Sequence, residues 1–125
     1  MLAAEVGDFA LAETYLRESL EATFAAGSAQ QSVLTLEVFA KLRSYQGRFR
    51  EAGRLLGASE ALRQRISTAK HHAAAERLAN ILETARKSGV SDTVILEAMD
   101  DGRPLSEAEV IAEVLSEPAD DHAAA

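Results

Sequence analysis

The stretch "YQGRFREAGRLLGASEALR", residues 45–63, decides how the chain is read, because it sets three of the seven glycines among four arginines. A loop that grips phosphate clusters its glycines ahead of a helix and follows them with a lysine and a hydroxyl residue, as in GxxxxGK followed by Ser or Thr. Here Gly53 and Gly57 fall inside a helical apolar pattern, and no such lysine comes after them. Glycines four apart on one helix face instead let a second helix approach, at about 1 kcal/mol each in lost helix propensity. Gly47 precedes the apolar run, where a chain leaving one helix needs a residue that tolerates positive φ. The stretch therefore reads as a turn followed by a packing helix.

The same pattern occurs earlier. "GDFALAETYLRESL" (7–20) lies over "GRFREAGRLLGASE" (47–60) at an offset of 40, with Gly7, Phe9, Ala12, Leu16 and Ser19 on Gly47, Phe49, Ala52, Leu56 and Ser59. The aromatic, the small residue and the leucine follow the glycine at spacings that place them on one stripe of a helix. Working outward by apolar period and stop signals predicts long helices over 8–26, 29–46, 48–66 and 70–88, then short ones over 91–101 and 106–116. Met1–Val6 reads as the stub of a preceding helix. The last helix has the best-specified start: Ser106 and Glu109 have capping-box spacing, and Leu105 with Val110 forms a hydrophobic staple. The two short helices are expected to form a hairpin that closes the stack, as a capping repeat does. Residues 1–116 form the domain in this reading, and 117–125, "EPADDHAAA", a disordered acidic and alanine-rich tail.

This pattern resembles the tetratricopeptide repeat, whose second helix opens with Gly, one residue, an aromatic, and a small residue three further on. In "VLTLEVFAKLRSYQG" (33–47), Leu36, Phe39 and Ala40 occupy that family's large, leucine and small positions, while Arg43 stands where a tyrosine is expected. The offset of 40 exceeds the family's period of about 34. From residue 51 on, "EAGRLLGASEALRQRI", "AERLANILETARKSG" and "VILEAMDDGRPLSEAEVIAEVL" look like the C-terminal, tetratricopeptide-like stretch of the large bacterial LuxR-type and STAND ATPase regulators. The matching positions run from Arg54 to Leu62, then Ala85 and Arg86, then Gly102, Leu105, Ser106 and Glu109. The resemblance covers about half the chain and implies an all-α, tetratricopeptide-like helix array, an α-solenoid fragment that binds partners in a regulator of transcription or signalling. The nucleotide-binding, cyclase and helix-turn-helix motifs of those regulators are missing from this sequence.

The 125 residues suit one core. With no cysteine, disulfides, thiolate nucleophiles and cysteine-bound zinc are excluded. No apolar run reaches the length of a membrane span, and a cytoplasmic location is expected. The net charge of −7 is unevenly spread: residues 1–40 carry −5, residues 41–87 carry +7 and residues 88–125 carry −9. The basic middle supplies the candidate partner-binding set, Lys41, Arg43, Arg48, Arg50 and Arg54, since arginine pairs bidentately with carboxylates and phosphates. The alternative is an ordinary surface balanced by Glu37, Glu51 and Glu60. An acidic protein or peptide is the expected partner. Nucleic acid is disfavoured, because the acidic flanks oppose a phosphate backbone and no aromatics are interleaved with the charges.

Catalytic chemistry finds little purchase. His71 and His72 point about 100° apart on a helix and do not share a metal at the spacing of three or four that zinc prefers, and His122 lies in the tail. Glu18 with Glu21, and Asp100 with Asp101, sit on polar faces or at a helix end. No cofactor, metal or catalytic residue is expected, and the alternative, a small helical hydrolase or ligand-sensing domain, would be favoured by a pocket with buried ionisable groups. A last expectation concerns the N-terminal end, where Leu2, Val6, Phe9, Leu16 and Leu20 read as an uncovered apolar surface, so that the chain either self-associates into a homodimer or is a fragment of a larger solenoid.

Overall fold

The computed structural model describes residues 6–66 and 73–117. Within them the chain is all-helical: α1 (Val6–Ala25), α2 (Ala29–Tyr45), α3 (Phe49–Ile66), α4 (Ala73–Lys87), α5 (Asp92–Gly102) and α6 (Glu107–Ser116). Each boundary falls within a few residues of the one expected, and the stop signals explain why. Gly27, Gly47 and Gly89 have φ of 74°, 79° and 80°. Each closes its helix with the paired bonds of a Schellman turn, such as Arg48 N to Arg43 O at 2.8 Å and Gly47 N to Ser44 O at 3.1 Å. Gly7 does not share this role, because it lies inside the first turn of α1. Serines set the starts. Ser28, Ser91 and Ser106 accept from backbone N–H groups, and Ser106 with Glu109 completes the reciprocal capping box.

The core is built from Leu16 and Leu20 of α1, Leu36, Phe39 and Ala40 of α2, and Phe49, Ala52 and Leu56 of α3. Ile81, Ile95, Met99, Val110 and Val114 of the later helices complete it. α2 lies between α1 and α3, and α4 rests across α2 and α3. α5 packs along α3, and the glycines of the opening stretch explain how closely. A Cβ on Gly53 would stand 2.7 Å from Ile95 O and 2.9 Å from Ala98 Cβ, and one on Gly57 would stand 2.7 Å from Met99 Cα. Gly102 is pressed in the same way against the backbone of α3 at Arg54. Gly53 and Gly57 thus form the close helix–helix seam that their spacing predicts.

Two expectations are corrected. Among the described residues α5 and α6 do not pack along one another as a hairpin; both lie on α3. Closure comes from the end of α6, where Arg17 of α1 donates to Leu115 O at 2.9 Å and to Glu117 O at 2.6 Å. A cation on those last carbonyls satisfies the unpaired acceptors of a helix C-terminus. Glu117, expected to open the tail, is held in this contact. Residues 118–125 lie outside the described residues, as do residues 1–5 with Leu2, His71, His72 and His122, while Val6, expected in the stub, begins α1.

Candidate functional site

The arginine series does not form one anion-binding face. Arg43 is completely buried. It continues the stripe Leu36–Phe39–Ala40, so its place on the core face was readable from a spacing of three, four and seven. Its guanidinium meets Glu13 of α1 with two bonds, Nη1 to Oε1 at 2.6 Å and Nη2 to Oε2 at 3.0 Å. It also donates to Glu117 Oε1 at 3.2 Å and to Gln46 Oε1 at 3.0 Å, and its centre stacks 5.2 Å from the Phe39 ring. Arg17 Nε donates to the same Glu13 at 2.7 Å. Burial pushes the Glu13 carboxyl up, but the bonds and charges of Arg43 and Arg17 outweigh it and hold the group below the usual carboxylate range. At Glu117 burial wins: with Glu51 nearby and Arg43 only partly offsetting both, its carboxyl is pushed up.

Arg48, also buried, pairs with Glu51 at 2.5 Å. Arg54 makes a bidentate pair with Glu113 of α6, at 2.8 and 2.7 Å, which raises its own pKa and lowers that of Glu113. Of the expected set, Lys41 and Arg50 remain exposed. The basic middle is therefore largely consumed in joining elements. Arg86 likewise ties α4 to Asp92 of α5 at 2.9 and 2.6 Å, and Arg65 of α3 donates to Leu105 O and Arg103 O in the loop before α6 at 3.0 and 2.8 Å.

The proposed self-association residues are also relocated. Leu16 and Leu20 are buried and Phe9 packs half-buried on the core, so the three do not make an open patch. The exposed apolar side chains of α1 are Leu11 and Tyr15, at 71% and 68% exposure, with Phe24 near its end. The side chain of Val6 lies outside what the structure describes.

What the structure brings together, and the sequence did not announce, is a groove between α2 and α4 with a cavity volume of about 280 Å³. The α2 wall is Leu34, Val38, Lys41 and Tyr45, and the α4 wall is Arg77, Ile81 and Thr84. Leu34, Val38 and Tyr45 are 44%, 51% and 41% exposed, which is unusual for three large apolar groups on one helix stripe. Glu37 lies in the groove, buried, where Arg63 of α3 donates to it and Arg77 Nη2 stands 3.2 Å from its Oε1. Arg77 Nη1 is buried without a hydrogen-bond partner among the described residues. Lys41 holds its ammonium 5.9 Å from the Tyr45 ring and meets no carboxylate among the described residues. The sequence signal was faint: Leu34 and Val38 are apolar positions off the Leu36–Phe39–Ala40 stripe.

No protein-family model, curated protein or solved structure matches this chain at a significant level. Among the described residues no helix is long and apolar enough to cross a membrane.

Proposed function

We propose that this chain is a non-catalytic protein-interaction module and that a partner docks in the groove between α2 and α4. The observation that carries this reading is the exposed apolar stripe Leu34–Val38–Tyr45 facing α4 across a concave surface. In this reading the fold is a tetratricopeptide-like array, cytoplasmic, and serves as the C-terminal repeat region of a bacterial transcriptional or signalling regulator. The glycine-led helices and the resemblance of residues 51–115 to those regulators support it. An enzymatic reading would use Glu37, the buried carboxylate in the groove. Arg63 donates to one of its oxygens and Arg77 stands 3.2 Å from the other, however, and the side chain is buried, whereas a proton-transfer group needs an oxygen within reach of substrate.

A second reading, homodimerisation, is favoured by Leu11 and Tyr15, which stand one turn apart on the outer face of α1. One experiment separates the two. A photo-crosslinking residue is placed at Val38 in one form of the chain and at Leu11 in another, in cells that express the full chain. The docking reading predicts a single heterologous adduct from Val38, whose purified partner binds the wild type and fails to bind Leu34→Glu. Adducts between copies of the chain, formed from Leu11 and not from Val38, would favour the dimer and overturn the groove.

A further inference from the structure

The spacing along the groove identifies the kind of partner. Leu34, Val38, Lys41 and Tyr45 follow one another at intervals of four, three and four, and across the groove Arg77, Ile81 and Thr84 follow at four and three. These are the intervals at which one helix presents a seam to another. The α2 seam runs for about 16 Å, close to three helical turns. Two helices that present such seams over a shared groove leave a place that a third helix can fill at the same spacing. The seam is not wholly apolar. Lys41 occupies a seam position, stacked on Tyr45 with no acidic partner among the described residues, while across the groove Arg77 Nη1 and Glu37 Oε1 are both buried without a hydrogen-bond partner among the described residues. Glu37, the acid of the groove, is already shared between Arg63 and Arg77. Glu60 also acts on Arg63 and Arg77, which leaves Lys41 as the groove cation with no acid of its own among the described residues.

From these observations, and resting on the docking reading above, we infer that the groove receives an amphipathic helix of a partner protein whose apolar stripe is interrupted by one carboxylate, which pairs with Lys41 and Arg77. The apolar side chains of that helix cover Leu34, Val38 and Tyr45, and the carboxylate gives Lys41 the acidic partner it lacks among the described residues. A lysine within an apolar seam sets register and partner choice, so the charge acts on specificity more than on burial.

The test uses three fluorescent helical probe peptides that share leucines at seam spacing and differ at one central seam position, which is Glu, Gln or Lys. Fluorescence anisotropy on the full chain should show the Glu peptide binding roughly tenfold more tightly than the Gln peptide, with the Lys peptide weaker still. Lys41→Gln, an exposed change that leaves the fold intact, should erase most of that preference, and Arg77→Gln should do the same while Arg63 keeps Glu37 paired. Equal binding of all three peptides, lost in Leu34→Glu, would overturn the charged register and leave the apolar groove standing. No binding by any peptide would overturn the groove as well. A wild-type chain that is dimeric in light scattering and made monomeric by Leu34→Glu would show the occupant to be a second copy, and would also overturn the inference.

Discussion

At the scale of the residue, Arg43 and Glu13 are the pair on which the interior turns. Both side chains are almost fully shielded, and two bonds join them. Removing water from a buried pair costs several kcal/mol per ion, so the pair adds little net stability, while breaking it leaves an uncompensated charge and costs about 3–5 kcal/mol. The expected outcome is asymmetric. Glu13→Leu should lower the free energy of unfolding by that amount in urea, and the double variant Glu13→Leu, Arg43→Met should recover much of it. A double variant as damaged as the sum of its singles would show that the two side chains act independently. The sign of the pH dependence follows from the shifts. Glu13 sits below its ordinary value of 4.5, so its contribution is in place above that pH and is lost as the pH falls through its lowered value. Glu117 sits above 4.5, so its contribution is present at low pH and fades as the pH rises through its raised value. Thermal melts should therefore show the contribution of Glu13 lost on acidification, and Glu117→Gln should remove the fading as the pH rises through the raised Glu117 value while leaving that acid loss in place. Arg43 was misjudged from the sequence because arginine is ordinarily a surface residue. Its position three residues beyond Ala40 carried the opposite message.

At the scale of the element, helix boundaries were legible because stop and start chemistry is local. A glycine at positive φ and a serine cap act on the nearest turn, whatever the rest of the fold does. The packing glycines were legible too, although the identity of the helix that uses them was not. In an exposed helix, Gly→Ala gains about 1 kcal/mol. At Gly57 a methyl would meet the backbone of Met99, which no side-chain rotation can clear. Overpacking costs typically 1–3 kcal/mol and here exceeds the propensity gain. Gly57→Ala should therefore shift the urea midpoint downward, and an upward shift would mean that α5 does not sit on α3 as described. The misjudged pairing of α5 with α6 has a similar origin. Their apolar stripes were visible, but α3 offers both a closer surface, through its glycines and through the bidentate reach of Arg54 to Glu113.

At the scale of the whole molecule, the uneven charge along the chain is a folding pattern. Acids of the first and last segments, Glu13, Glu37, Asp92, Glu113 and Glu117, meet arginines of the middle segment, so sequence-distant blocks of opposite sign are brought together inside one bundle. This explains why a basic stretch that looked like an anion-binding face offers so few exposed cations. It also explains why the groove between α2 and α4 escaped notice: a concave surface depends on how far two helices stand apart, and periodicity along one chain does not encode that separation. Among the described residues of the expected basic set, Lys41, at the centre of the α2 seam, and Arg50 remain outside this internal pairing. The central claim is that this groove is the working surface, and amide chemical-shift mapping of the full chain titrated with the Glu-bearing probe helix tests it most directly. The account predicts that perturbations concentrate along residues 34–45 and 77–84 and spare the outer face of α1 around Leu11 and Tyr15. Perturbations centred on Leu11 and Tyr15, with 34–45 unmoved, would contradict it.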